Sequence, residues 1–87
     1  MQVEEIIQKV NEAIAEEFEV EVSSLKPGTH LGDDLELDSL DGVDLIAAMQ
    51  RTFCIKFPEE EARRLRTMGD IYAFVEKLVE AEKGHGA

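Results

Sequence analysis

The 87-residue chain has few of the residues that mark disulfide-rich, fibrous or nucleic-acid-binding proteins. It contains one cysteine, which excludes an internal disulfide framework and a multi-cysteine metal site. Glycine and proline number six and two, too few for a collagen-like or low-complexity chain. Only 9 basic residues stand against 20 acidic ones, and the net charge of −11 disfavours binding to nucleic-acid phosphates. No apolar run approaches the ~18 residues of a membrane helix, so we expect no membrane span.

The acidic residues are concentrated in the first part of the chain. Residues 1–50 hold 13 acids and two lysines, whereas residues 51–87 hold seven charges of each sign. A hydrophobic fraction of 44% is ordinary for a globular protein, and the length predicts one domain, which we place at residues 1–83 before a frayed tail at 84–87. The first residues show no basic segment followed by an apolar run, so we expect no secretory signal and a cytoplasmic protein. Self-repulsion of the surface favours a monomer.

Apolar residues recur with helical spacing in three segments, which predicts three main amphipathic helices. The first extends from Val3 to Phe18. The second is expected to begin near Ser39, because Asp38 is a good N-cap and Asp41, three residues later, resembles the second member of a capping box.

The remaining segments predict a long loop, a short helix and a last helix. Residues 19–38 contain turn-forming residues, and residues 59–65 follow Pro58 with a short helical pattern. The last helix is expected to start at Thr67, whose hydroxyl can cap it. The sequence therefore predicts an all-α fold, a small four-helix bundle with three main helices, one short helix and a long first loop. We expect the loop to be pinned to the core by its leucines, namely Leu25, Leu31, Leu35 and Leu37.

Residues that could ligate a metal or act as a nucleophile are isolated in the sequence. Cys54 has no histidine or basic cluster beside it, so we expect a small buried hydrophobic residue. His30 and His85 have no partner at ligand spacing. We therefore predict no metal site from these residues.

The acidic run before the second helix can be compared with a calcium-binding loop. Asp34, Glu36 and Asp38 match the first, third and fifth positions of that loop. Ser39 stands where the loop needs glycine, and Leu45 stands where it needs a bidentate glutamate. A dedicated calcium site is not predicted, and loose divalent binding to the acidic patch stays open.

Ser39 is compatible with more than one role. As the first residue of a helix it has an ordinary structural explanation. A serine hydrolase would need a base within reach, and the sequence has no Gly-x-Ser-x-Gly motif. A phosphate ester at this position would meet the positive end of the helix dipole.

The residues around and after Ser39 resemble the acyl carrier proteins of the stand-alone bacterial type. The resemblance covers about residues 3–80. It is carried by the Asp38-Ser39-Leu40 tripeptide together with residues at the spacing of that family, namely Asp41, Val43, Asp44, Leu45, Phe53, Pro58, Glu60, Glu61 and Ala62.

The resemblance implies a non-catalytic carrier with a covalent cofactor. Ser39 would be the attachment point of 4′-phosphopantetheine, which a separate phosphopantetheinyl transferase adds from coenzyme A. The arm would hold acyl groups as thioesters and deliver them to acyl-loading and chain-elongating enzymes of fatty-acid, related lipid or polyketide biosynthesis.

The resemblance also implies roles for other positions. The transferase would recognise Asp38, Leu40 and Asp41. Partner enzymes with basic patches would contact the helix face of Val43, Asp44 and Met49. The space for the acyl chain would be lined by Phe53, Ala62, Leu65 and Tyr72, and plain core packing is the favoured alternative at each of these positions.

Some positions depart from the family pattern and leave the cargo open. Residues 50–52 read Gln-Arg-Thr where fatty-acid carriers have glutamates, Leu37 replaces a small residue, and Gly42 lies in the first turns of the second helix. A specialised cargo, such as an unusual acyl group or an amino acid such as D-alanine, is the alternative within the class. From another class, the alternative is an acidic protein-interaction or loosely calcium-binding module without a covalent cofactor.

Overall fold

The computed structural model describes residues 2–85, apart from the side chains of Ser39 and of residues 82–85. The helices are α1 (Val3–Phe18), α2 (Ser39–Phe53), α3 (Glu59–Ala62) and α4 (Met68–His85), with a 3₁₀ turn at Val22–Ser24. The predicted all-α four-helix fold with a long first loop is therefore confirmed. The radius of gyration of 12.2 Å is close to the ~12 Å expected of a compact domain of this length. None of the helices in residues 2–85 is both long enough and apolar enough to cross a membrane.

The predicted tail at residues 84–87 is described only in part. Gly84 and His85 continue the backbone of α4. Gly86 and Ala87 lie outside the described residues.

The long helices bury one face each in a common core. On α1 the buried residues are Ile6, Val10 and Ile14, which are spaced four apart along a single stripe. The glutamates of α1 lie on the other side, and Glu17 forms an ion pair with Arg51 of α2 at 3.0 Å. The rest of the core comes mainly from α2 and α4, and its buried members there are Leu45, Ala48, Met49, Phe53, Met68, Ile71, Tyr72 and Val75.

The long loop is fixed to the core as predicted. Leu25 and Leu31 are buried, and Leu35 and Leu37 pack against the core while partly exposed. The loop also pairs with the start of α4 through backbone hydrogen bonds, from Leu31 N to Arg66 O (2.8 Å), Met68 N to Thr29 O (3.0 Å) and Gly69 N to Pro27 O (2.9 Å). A Cβ atom at Gly69 would lie 3.0 Å from Pro27 O, so a larger residue there would have to push this carbonyl back.

The expectation for Cys54 is wrong. Its side chain is exposed, whereas the preceding Phe53 is buried. Cys54 is the C-cap of α2 and has a left-handed backbone with φ of 54°. Because the chain leaves the helix direction at this residue, Cys54 does not continue the buried face of α2, which ends at Phe53.

Candidate functional site

The start of α2 is held by a complete capping box. Asp38 Oδ1 accepts hydrogen bonds from the backbone N–H groups of Leu40 (2.9 Å) and Asp41 (3.0 Å). Asp41 Oδ2 accepts one in return from the N–H of Asp38 (3.0 Å). The predicted cap is confirmed, and its bonds fix the backbone on both sides of Ser39, the first residue of the helix. The residue that the resemblance marks thus lies on a rigid helix end.

The same bonds occupy the N–H groups of Asp38, Leu40 and Asp41, which are three of the four amide donors that a helix N-terminus normally offers to anions. The N–H of Gly42 is also bonded, to Asp38 O at 3.1 Å. The amides of residues 40–42 are therefore all taken by Asp38, through its side chain or its carbonyl. An anion attached at this helix end would feel the helix dipole without receiving these hydrogen bonds.

The outer face of α2 next to Ser39 exposes apolar and acidic residues together. Leu40 and Val43 are 76% and 53% exposed, which is unusual for large apolar side chains. Asp44 is exposed and Asp41 is partly exposed. These four are accessible, as a recognition surface requires.

Met49, by contrast, does not belong to this face. It is 1% exposed and lies in the core. On a helix, residues four apart share a side, and Met49 lies between Leu45 and Phe53, which are both buried. The expectation that Met49 contacts partner enzymes is therefore corrected.

A cavity of about 700 Å³ adjoins the start of α2. This volume lies in the ~300–1,000 Å³ range of small-molecule sites. Asp38 and Leu40 line it beside Ser39, and its apolar lining includes Leu31, Val43, Leu45, Ile46, Ala62 and Leu65. An exposed helix start beside a largely apolar cavity fits a covalent arm that carries an apolar group.

Two of the four residues expected around the acyl chain line this cavity, and two do not. Ala62 and Leu65 contribute to its wall. Phe53 (9% exposed) and Tyr72 (7% exposed) are core residues instead. The hydroxyl of Tyr72 donates a hydrogen bond to Asn11 Oδ1, which directs it towards α1, and burial raises the pKa of this phenol. Phe53 and Tyr72 thus have the core packing that is the alternative for these positions.

The cavity also has charged lining residues that the sequence reasoning missed. Arg63 and Glu59 both line it and form an ion pair at 2.9 Å. Arg66 lines it as well, and its Nη1 donates a hydrogen bond to Arg63 O at 3.1 Å. The sequence does carry a signal for this positive charge, since three arginines lie between residues 63 and 66 of a chain with a net charge of −11.

The acidic run of the loop has a structural use. The backbone N–H of His30 donates to Asp34 Oδ2 (2.7 Å), and the N–H of Asp33 donates to His30 Nδ1 (3.2 Å). Among the side chains that the structure describes, no three His, Cys, Asp or Glu residues are grouped so that they could hold a metal ion. Asp34 and Asp38, two of the matches to a calcium loop, hydrogen-bond the backbone of this chain.

Comparisons with known proteins agree with this geometry. A family model described as a phosphopantetheine attachment site matches residues 8–75. The acyl carrier protein of Prochlorococcus marinus is 39% identical over 84 residues, which cover 97% of this chain and all of that protein. The acyl carrier protein of Thermosynechococcus vestitus is 36% identical over 77 residues, which cover 88% of this chain and 95% of that protein. The chain therefore belongs to the acyl carrier proteins, the family of carriers with a covalently attached 4′-phosphopantetheine.

Proposed function

We propose that Ser39 is the attachment point of the 4′-phosphopantetheine, and that the chain itself catalyses no reaction. The observation that supports this proposal is the position of Ser39. It is the first residue of α2, it lies between the exposed residues Asp38 and Leu40, and both of these line the 700 Å³ cavity. The attached group supplies the thiol that holds acyl groups as thioesters.

Attachment forms one ester bond and breaks one diphosphate bond. The Ser39 oxygen bonds to the β-phosphorus of coenzyme A, and adenosine 3′,5′-bisphosphate leaves with the electrons of the broken bond. The hydroxyl proton passes to a base of the separate phosphopantetheinyl transferase. The carrier therefore needs no base of its own for this step.

The capping box and the cavity have separate tasks in this proposal. Asp38 and Asp41 hold the helix start, so the arm begins at a fixed point. The apolar wall that includes Ala62 and Leu65 shelters the acyl chain from water. Two acidic residues, Asp38 and Glu59, balance Arg63 and Arg66 in the lining, so the mostly apolar wall decides the match and favours an acyl group over a charged aminoacyl group.

Recognition is proposed to use the exposed face of α2. Asp38, Leu40 and Asp41 would contact the transferase, and Val43 and Asp44 would contact acyl-loading and chain-elongating enzymes. A net charge of −11 attracts basic partner surfaces and raises encounter rates without a large interface. The same charge opposes self-association, so we propose a monomer. We also propose that the protein acts in the cytoplasm.

The attachment is tested by intact mass. Cofactor-free protein is incubated with coenzyme A and a broad-specificity transferase, and we expect one phosphopantetheine increment. Ser39→Ala should gain none while keeping its helical circular dichroism. Ser23→Ala is the matched control, since Ser23 is an exposed serine of the 3₁₀ turn, and it should gain the increment. An increment on Ser39→Ala, or none on the wild type, would refute the proposal.

The cargo is tested on protein isolated from its own cells. The mass of the thioester-bound group distinguishes a fatty acyl chain from a specialised one. A thioester-bound amino acid would contradict the preference for an acyl chain that the mostly apolar cavity wall supports.

A further inference from the structure

Arg66 brings a positive charge to the cavity in an otherwise acidic protein. Its backbone is fixed from both sides, because its N–H donates to Asp70 Oδ2 (3.0 Å) and its carbonyl accepts from Leu31 N (2.8 Å). Its guanidinium is directed over the end of α3 by the hydrogen bond to Arg63 O. The charge of Arg63 is paired with Glu59. Among the side chains that the structure describes, no carboxylate lies within 4.0 Å of the Arg66 guanidinium, and Asp70, whose pKa is lowered mainly by backbone hydrogen bonds and also by the charge of Arg66, interacts with this guanidinium only at longer range.

The start of α2 is a poor environment for an attached phosphate by itself. A phosphodiester on Ser39 would stand beside the carboxylates of Asp38 and Asp41. The amide donors of residues 40–42, which bind phosphate at other helix N-termini, are already occupied. A cation from another part of the fold would therefore stabilise the negative charge there.

The loop backbone connects Arg66 to this helix end. The N–H of Leu31 bonds to Arg66 O, and its carbonyl accepts from Leu37 N at 3.0 Å. Leu37 is only two residues before Ser39. Leu37, Asp38 and Arg66 all line the same cavity.

We propose that Arg66 is a positioning residue that binds the phosphodiester of the arm on Ser39. The pairing holds the base of the arm at the edge of the cavity, so that an acyl chain enters between α2 and α3. This inference rests on the proposed attachment at Ser39, and it goes further by assigning a cation to the phosphate. A guanidinium suits the task because it offers several donors in a plane to phosphate oxygens.

The test compares the cofactor-free and phosphopantetheinylated forms of each variant. Arg66→Gln removes the charge, Arg66→Lys retains it, and Arg64→Gln is the control, since Arg64 is exposed and is not a cavity residue. Intact mass shows attachment for each variant, so a failure of the attachment is seen separately. Melting temperatures are measured at low salt for both forms, and the ³¹P resonance is measured for the phosphopantetheinylated form.

Attachment adds a negative charge, so its effect on the melting temperature reports whether that charge is paired. We expect the change in melting temperature on attachment to be less favourable in Arg66→Gln than in the wild type by about 1–8 °C, as for one exposed ion pair in a domain of this size. Arg64→Gln should match the wild type, and Arg66→Lys should retain most of the effect. The difference should shrink at high salt. In Arg66→Gln the ³¹P resonance should move towards that of the phosphopantetheinylated chain in denaturant.

Two results would overturn the inference. One is that Arg66→Gln and Arg64→Gln give the same attachment effect and the same ³¹P resonance. The other is that Arg66→Gln matters only after a carboxylated acyl group, such as glutaryl, is loaded in place of an uncharged chain of similar shape, such as 5-methylhexanoyl. In that case the arginine serves a cargo carboxylate and not the phosphodiester.

Discussion

Asp38 caps α2 and is proposed to contact the transferase, and two substitutions at this position separate these roles. Asp38→Ala removes the acceptor of both capping hydrogen bonds, to Leu40 N and Asp41 N. Loss of an N-cap costs about 0.5–2 kcal/mol, typically ~1. In a domain of this length 1 kcal/mol corresponds to roughly 4–8 °C in melting temperature. Asp38→Asn keeps an oxygen acceptor at an equally preferred N-cap residue, so its melting temperature should stay near that of the wild type.

The matched pair also controls for charge, because both substitutions remove one acid from a surface with a net charge of −11. Melting is followed by circular dichroism at 222 nm, a standard helix signal, and cofactor attachment is followed by intact mass over time. We expect only Asp38→Ala to be destabilised. Because the transferase is proposed to contact the Asp38 carboxylate, we expect both variants to gain the cofactor more slowly than the wild type. Equal destabilisation of the two variants, or no destabilisation of Asp38→Ala, would show that the capping hydrogen bonds do not stabilise α2.

Hydrogen bonds from the backbone N–H groups of Arg66 and Thr67 hold the pKa of Asp70 below its ordinary value. Asp70 therefore contributes stability above its unfolded pKa of ~3.9, and this stability is lost as the pH falls through the lower folded pKa. In melting curves at several pH values, the difference in melting temperature between the wild type and Asp70→Ala should close below about pH 4. A gap that does not change with pH would contradict this. Met49→Ala should cost about 2–5 kcal/mol in urea denaturation because Met49 is 1% exposed, and a loss below ~0.5 kcal/mol, as for a surface residue, would show that it is not buried. The exposed thiol of Cys54 should react with a maleimide in the native protein nearly as fast as in denaturant, and strong protection would contradict its exposure.

The helices and their starts could be predicted because their causes are local in the sequence. Asp38 and Thr67 each lie beside the amides that they cap, and the structure shows both acting in this way, with Thr67 Oγ1 accepting from Asp70 N. The apolar stripe of α1 likewise appears as the buried face. At both caps, the capping residue and the amides that it binds lie within one turn of helix, so the sequence around that turn is enough to predict them.

The face of α2 that meets the core could not be predicted in the same way. Its apolar residues surround much of the helix, so spacing alone does not distinguish exposed Val43 from buried Met49. That choice is made mainly by the packing of α2 against α1 and the rest of the core. The cavity is also non-local, since Leu31, Ile46 and Arg66 are brought together only when the loop, α2 and the segment before α4 meet.

The backbone pairing between the long loop and the start of α4 determines which wall of the cavity can move when a longer acyl chain is bound. Displacing the loop would break hydrogen bonds at Leu31, Met68 and Gly69 together. The opposite wall is α3, four residues long, with no buried residue and no side-chain cap at Pro58. Growth of the cargo by successive carbons should therefore push α3 outward while the loop stays in place, and amide exchange in residues 59–62 should quicken as the bound chain lengthens.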